Sequence, residues 1–439
     1  MKPLVAIIGR PNVGKSTLFN RLVQRREAIV DPTAGVTRDR HYGHAEWAGR
    51  SFALVDTGGW IEGSDDIFEG EIRRQVEVAL EECNFILFLV DVEAGITHDD
   101  QEIARLLRKQ SKPIVLIANK TDTHERMAQA AEFYSLGFGE PMTGSSINGL
   151  GTGDALDALV AHFPEPGSND EIDPFEGKPR LAIVGRPNVG KSSITNALFE
   201  EEVSIVTDIA GTTRDTVNSH FNKFDMDFVL LDTAGMRKKG KVNQNLEFYS
   251  NMRTVRTIED SDVCMLVIDA TQGFESQDQN ILHVILTNKK GLVVVINKWD
   301  LVSKDTHTMK TFEEQVRIKM RPFVDVPIIF TSAISKQRVL KAVETCMEVQ
   351  SRRSTRLGTS KLNDIILPIV KERPPPMYKG KIVKIKFISQ LPTKRPQFVL
   401  YCNMPQYVKE PYERFVENQF RKHFDLTGIP IDLYFRKKV

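Results

Sequence analysis

The 439-residue sequence predicts an α/β fold: one mostly parallel sheet domain repeated twice in tandem, then a small α/β domain. Three observations carry this reading. The stretch GRPNVGKST at residues 9–17 returns as GRPNVGKSS at 185–193, short apolar runs alternate with helix-length segments in both halves, and the last fifth of the chain is strongly basic. A chain of this length makes about three domains at roughly 100–200 residues each, so a repeat plus a remainder fits.

The repeat extends well past the glycine-rich loop. GVTRD (35–39) recurs as GTTRD (211–215), LVDTGG (54–59) as LLDTAG (230–235), and NKTD (119–122) as NKWD (297–300). The loop and the first two of these pairs are displaced by 176 residues, and the third by 178. So constant a displacement means that a whole domain is duplicated. In the first copy, expected over 1–163, the apolar runs are LVAII (4–8), FALV (52–55), FILFLVD (85–91) and IVLIA (114–118). In the second, expected over 180–355, they are RLAIV (180–184), FVLLD (228–232), VCMLVID (263–269), LVVVI (292–296) and PIIFT (327–331). Unbroken apolar runs spaced by helices indicate strands buried on both faces of a parallel sheet, whose ligands sit beyond the carboxyl ends of the strands. Between the copies, PEPGSNDEIDPFEGKP (164–179) holds four prolines, two glycines and five acidic residues without periodicity. That composition reads as an acidic, exposed linker, with an ordered loop packed on one domain as the other reading.

Composition narrows the class further. Hydrophobic residues at 41% and charged residues at 27% supply several cores and argue against disorder. No apolar run reaches the ~20 residues of a membrane-spanning helix, and MKPLVAIIG turns polar too quickly for a secretory signal, so no membrane role and a cytoplasmic location are expected. Cys83, Cys264, Cys346 and Cys402 stand singly, which predicts buried thiols and neither a disulfide framework nor a zinc site. No dimer signal is visible, and a monomer is expected.

The repeated motifs define a chemistry. G-x-x-x-x-G-K-S, from Gly9 to Ser16 and from Gly185 to Ser192, follows a strand and precedes a helix-forming run. In that setting backbone N–H groups ring phosphates at a helix N-terminus. Gly9, Asn12, Val13, Gly14, Lys15, Ser16 and Thr17 are therefore assigned to one phosphate cradle, and Gly185, Asn188, Val189, Gly190, Lys191, Ser192 and Ser193 to the other. Lys15 and Lys191 reach the β and γ phosphates, while the hydroxyls of Ser16 and Ser192 hold Mg²⁺. Asp56 and Asp232 fit the carboxylate that holds magnesium through water, followed by Gly59 and Gly235, whose N–H senses the γ-phosphate. D-x-x-G alone is worthless, but it stands 41 residues after the loop lysine in both copies. N-K-x-D, formed by Asn119, Lys120 and Asp122 and by Asn297, Lys298 and Asp300, selects the base. Its aspartate accepts two adjacent N–H groups that guanine shows and adenine lacks, so GTP and GDP are the expected ligands.

Two such domains followed by a basic module resemble the EngA family, also called Der, the double-Era-like bacterial GTPases, over essentially the whole chain. The resemblance implies a Mg²⁺-dependent GTPase that binds the large ribosomal subunit and acts in its assembly, with a KH-like C-terminal domain. It implies that Thr37 and Thr213 close over Mg²⁺ and the γ-phosphate as switch and catalytic residues beside Lys15 and Lys191. The family's last guanine motif, usually Ser-Ala, falls on Ser332-Ala333 in the second domain and on Ser145-Ser146 in the first. Serine keeps the backbone N–H that contacts the base, so binding is expected to survive.

Hydrolysis needs a source of catalysis other than the glutamine that orients water in Ras-like enzymes, because Trp60 and Met236 follow the two D-x-x-G motifs. The resemblance suggests that Asn12 and Asn188 help hold a potassium ion against the phosphates, where it neutralises developing charge as an arginine finger does. The other reading is that each asparagine only stabilises the loop turn.

Residues 356–439 carry 17 Lys+Arg against 7 Asp+Glu, a balance of +10, whereas residues 1–355 carry 42 against 51, a balance of −9. The expected order of this C-terminal domain is helix (358–371), strand (381–388), strand (397–402), helix (409–424) and strand (430–435). Along KIVKIKF, Lys381, Lys384 and Lys386 are expected on one strand face while Ile382, Val383, Ile385 and Phe387 supply apolar contacts, an imperfect alternation because Val383 shares the lysine face. Such a surface suits ribosomal RNA or ribosomal proteins, or docking on the acidic body of the same chain. The G-x-x-G grip of ordinary KH domains is absent, which argues against the usual mode of RNA reading. A second basic cluster, Arg237, Lys238, Lys239 and Lys241, follows the second D-x-x-G and is either a nucleotide-driven element or a solvated loop. Two working switches are the leading reading, and a pair in which one domain hydrolyses while the other senses nucleotide is the alternative.

Overall fold

The computed structural model describes residues 3–30, 42–57, 76, 79–80, 83–164, 175–199, 218–231, 247–303, 307–377, 380 and 382–437. Thr37, Gly59, Trp60, Thr213, Asp232, Gly235, Met236, Lys381 and the cluster Arg237, Lys238, Lys239 and Lys241 lie outside the described residues. The chain forms two compact units, Met1–Ile172 and Asp173–Val439.

The first unit contains β1 (Leu4–Ile8), α1 (Lys15–Val30), β2 (Tyr42–Trp47), β3 (Arg50–Asp56), β4 (Phe85–Asp91), α2 (His98–Leu107), β5 (Ile114–Asn119), α3 (His124–Gln129), β6 (Met142–Thr143) and α4 (Thr152–Ala161). Its six strands run in the order β2-β3-β1-β4-β5-β6, parallel throughout except for β2 against β3. β1 and β4 are buried along their whole length, as their unbroken apolar runs require. Val5, Ile7, Leu87, Leu89 and Ile117 share one core with Leu18 and Leu22 of α1 and Leu156 and Leu159 of α4. Burying each such side chain contributes about 1.5–3 kcal/mol. β2, YGHAEW, is the antiparallel edge, and its glycine, histidine and glutamate interrupt any apolar run because that strand is only half buried.

The second unit repeats this order with β7 (Arg180–Val184), α5 (Lys191–Phe199), β8 (Ser219–Lys223), β9 (Met226–Leu230), α6 (Glu247–Asp260), β10 (Val263–Asp269), α7 (Ser276–Thr287), β11 (Gly291–Asn297), α8 (Thr308–Lys319), β12 (Ile328–Phe330) and α9 (Val339–Ser354). The strand order β12-β11-β10-β7-β9-β8 is that of the first sheet, with β8 as its antiparallel edge. The end of the acidic stretch packs here: the Phe175 ring lies 5.2 Å from that of His220 at a 38° tilt, and Lys178 bonds Asp227 at 3.0 Å.

Beyond α9 come α10 (Thr359–Glu372), β13 (Ile385–Gln390), β14 (Gln397–Cys402), α11 (Glu410–His423) and β15 (Asp432–Lys437), with sheet order β13-β14-β15. β14 pairs antiparallel with β13 and parallel with β15. The expected strand at 381–388 differs in detail. It begins at Ile385, and a register shift between Ile385 and Phe387 breaks the alternation. Up to Lys386 the chain alternates regularly, with Val383 and Ile385 buried and Ile382, Lys384 and Lys386 exposed, so Val383 joins the core instead of sharing a face with the lysines, and the shift turns Phe387 out beside Lys386.

This small domain is seated on the second sheet by a backbone insertion. Leu292 N–H donates to the carbonyl of Gly428, and Gly428 N–H donates to that of Asp325, both at 2.8 Å. Ile429 thereby enters the core formed by β7, β10 and β11. Arg421 lies 4.7 Å over the Phe323 ring and reaches Asp325 at 3.3 Å. Lys289–Asp432 and Arg352–Asp425 ion pairs flank the contact. The domain thus packs on the second sheet through other residues, and Lys384 and Lys386 take no part in these contacts.

Candidate nucleotide-binding sites

Parallel register gathers the motifs at one sheet edge. Ile7 pairs with Asp56, Ile8 with Phe88, and Asp91 with Asn119, so the ends of β3, β4 and β5 flank the loop that leaves β1. In the second sheet Asp269 pairs with Asn297 in the same way.

Glycines of the loop answer steric demands. A Cβ on Gly9 would stand 2.4 Å from the Leu89 carbonyl oxygen, and one on Gly185 2.4 Å from that of Val267. Gly14 has φ +98° with Asn119 Nδ2 in the place of a side chain, and Gly190 repeats this at φ +99° against Asn297. Asn12 and Asn188 both adopt φ 63°, a left-handed conformation that asparagine tolerates. Lys15 and Lys191 then open α1 and α5, whose first-turn N–H groups have no partner within the helix and face incoming anions.

Lys15 is buried, and its Nζ donates to the carbonyls of Gly9 at 2.9 Å and Arg10 at 2.7 Å. Lys191 does the same to Gly185 and Arg186 at 2.8 and 2.6 Å. Burial lowers the Lys15 pKa to about 8, against the opposing field of Asp56. Asp56 itself is fully buried at the end of β3. An exposed Ser16 hydroxyl and the Asp56 carboxylate offer only oxygen donors, which suits a hard divalent cation such as magnesium.

The base motif and the phosphate loop are physically joined. Asn119 Nδ2 donates to the Val13 carbonyl at 2.6 Å, and its Oδ1 accepts from Ser146 N–H at 2.8 Å and Ser146 Oγ at 3.0 Å. Asn297 donates to Val189 at 2.9 Å and accepts from Ala333 N–H at 3.1 Å. Ser146 in the alanine position therefore keeps the backbone contact and adds a hydroxyl bond. In the second domain Thr331 Oγ1 donates to Asn297 Oδ1 instead, at 3.3 Å. Lys120 and Lys298 both take left-handed backbone and pair with the carboxylate that ends the adjacent strand, Asp91 of β4 at 2.7 Å and Asp269 of β10 at 2.6 Å. The Asp91 bond raises the Lys120 pKa. Burial opposes ionisation of Asp269, yet the Lys298 and Thr271 bonds leave its pKa lowered.

Sequence reasoning missed the arginine that follows the first glycine of each loop. Arg10 bonds Asp91 at 3.4 Å and lies 3.6 Å from Asp100, a buried carboxylate that also closes a capping box with Thr97 on α2. Arg186 meets Asp278 at 2.9 Å, Gln272 at 3.1 Å and the Gly273 carbonyl at 3.1 Å, and also pairs with Glu275. Burial pushes both Asp100 and Asp278 upward in pKa. These arginines tie each phosphate loop to the helix that follows the neighbouring strand of the sheet, β4 in the first domain and β10 in the second. Breaking such a buried pair from one side is worth about 3–5 kcal/mol. Their repetition in both loops was the available clue. All four cysteines are buried, with the Cys264 thiol pushed up to about 12 by desolvation, and no group of three metal-binding side chains occurs among the described residues. No helix among the described residues is long and apolar enough to cross a membrane.

Two repeated P-loop domains with guanine-type base motifs define a tandem GTP-binding GTPase. The family model described as "50S ribosome-binding GTPase" matches residues 4–120 and again 180–298, and the model described as the C-terminal "KH-domain-like of EngA bacterial GTPase enzymes" matches 356–436. The chain is 57% identical over 438 residues to the GTPase Der of Christiangramia forsetii, covering 100% of both chains. Those of Flavobacterium johnsoniae and Bacteroides fragilis are each 56% identical, over 99% and 100% of both chains. The chain belongs to the Der family of GTPases.

Proposed function

We propose that this chain is a Mg²⁺-dependent, potassium-stimulated GTPase switch in which both domains hydrolyse GTP and together gate binding to the large ribosomal subunit during its assembly, in the cytoplasm and as a monomer. The observation that carries the reading is the Asn119 and Asn297 bridge, built alike in both domains from phosphate loop to base loop. The working division is a GTPase domain over 1–163, an acidic linker over 164–179, a second GTPase domain over 180–355 and a KH-like domain over 356–439.

In this mechanism Lys15 and Lys191 move from the loop carbonyls to the β and γ phosphates, and the N–H groups of residues 13–17 and 189–193 hold the phosphate oxygens. Asp122 and Asp300 accept from guanine, with Ser145, Ser146, Ser332 and Ala333 closing the base pocket. Ser16, Thr37 and Asp56, with Ser192, Thr213 and Asp232, would hold magnesium, which would supply neutralisation of phosphate charge when bound. Gly59 and Gly235 sense the γ-phosphate. Asn12 and Asn188 are exposed at the loop crest, where their side-chain oxygens suit a potassium ion. The basic C-terminal domain contacts ribosomal RNA and protein, supported by its +10 balance and by the exposed Lys384, Lys386 and Phe387. The test is GTP hydrolysis by Lys15→Ala and Lys191→Ala chains in potassium and in sodium.

A further inference from the structure

The two guanine-reading carboxylates differ. Asp122 Oδ1 accepts from Asn148 Nδ2 at 2.9 Å, and Arg126 stands 3.8 Å from its Oδ2. Asp300 holds no hydrogen bond or ion pair with a described residue. The turn that carries Asn148 is nevertheless present in both domains. Asn148 N–H donates to Ser145 Oγ at 3.2 Å, and Ser335 N–H donates to Ser332 Oγ at 3.3 Å, so residues 148 and 335 occupy the same place. Each follows a solvent-facing isoleucine, Ile147 at 69% exposure and Ile334 at 81%. One domain thus offers an amide donor to its base-reading aspartate and the other a serine at the equivalent position.

We propose that Asn148 is a positioning residue that orients Asp122 for guanine, making the first site the more selective for the exocyclic amino group of the base. The proposal rests on reading the N-K-x-D aspartates as guanine contacts. An ionised carboxylate has about four acceptor positions, so Asn148 can occupy one and leave one on each oxygen for the base. Held at one rotamer, Asp122 presents both oxygens in the plane of the two guanine donors. A free aspartate must be ordered by the ligand itself. Arg126 does not replace this role, because its guanidinium is also paired with Glu93 at 2.7 Å.

Inosine diphosphate lacks the exocyclic amino group and therefore separates orientation of the carboxylate from general damage. In the full chain with Lys191→Ala, calorimetric titration reports the first site. Adding Asn148→Ala should weaken GDP about twofold to tenfold and IDP less, narrowing the ratio of their dissociation constants. In the Lys15→Ala chain, Ser335→Asn should widen that ratio at the second site. Equal losses for GDP and IDP, or unchanged ratios in both variants, would overturn the proposal. A first site that binds GDP and IDP equally before Asn148 is altered overturns instead the reading of Asp122 as the guanine contact.

Discussion

Asn119 donates to the backbone carbonyl of Val13 at 2.6 Å, across 106 residues of sequence, and so fastens the base-reading strand end to the phosphate loop. Asn119→Ala should leave this buried carbonyl and the Ser146 donors unsatisfied, at about 1–3 kcal/mol for each group lost. GDP affinity at the first site should fall by at least tenfold, with a smaller effect on the second. Titration of the Lys191→Ala chain with and without Asn119→Ala checks this, and unchanged affinity would mean that the bridge is incidental.

Lys15 predicts opposite pH trends for binding and for stability. Its folded pKa is lowered by burial from 10.5 to about 8. A lysine with a depressed folded pKa contributes stability that is fully present above 10.5 and is lost as pH falls through about 8. Phosphate binding needs the charged form, so GDP affinity at the first site should weaken as pH rises past about 8, approaching tenfold per pH unit. Titrations of the Lys191→Ala chain from about pH 6.5 to about 9.5 measure this, and a flat affinity contradicts it.

Gly428 predicts how firmly the C-terminal domain is held. It has φ +77°, and a Cβ there would lie 2.7 Å from the Leu292 carbonyl oxygen and 2.9 Å from Val349 Cγ2. Gly428→Val should force this insertion out of the β11 edge and withdraw Ile429 from the core, a loss of about 2–5 kcal/mol. Limited proteolysis near residue 355 and thermal unfolding should both report it. A variant as resistant and as stable as the wild type would contradict the insertion as an anchor.

Local chemistry explains what could be read from the residues in order. The doubly buried strands announce themselves as apolar runs, and the loop motifs are contiguous, so the sheets and phosphate loops were legible. The edge strands β2 and β8 were not, because half-buried polar residues such as His44 and His220 break the pattern. Arg10 meets Asp100 and Arg186 meets Asp278 only after the strands between them align in register. The same holds for Asn148 and Asp122, and for Gly428, whose role depends on a backbone group 136 residues earlier. The shift after Ile385 turned Phe387 to solvent because one additional residue rotates the strand. Periodicity records the faces of regular elements and is silent about bulges and distant pairs.

Both repeated sites are proposed to turn over GTP with potassium assisting. Steady-state GTP hydrolysis by the wild type, Lys15→Ala and Lys191→Ala, in potassium and in sodium, tests it most directly. Turnover should be faster in potassium, each lysine variant should lose a distinct part of it, and the salt difference should vanish when Asn12 and Asn188 are both changed to alanine. Full turnover retained by either lysine variant, or equal rates in the two salts, would contradict it.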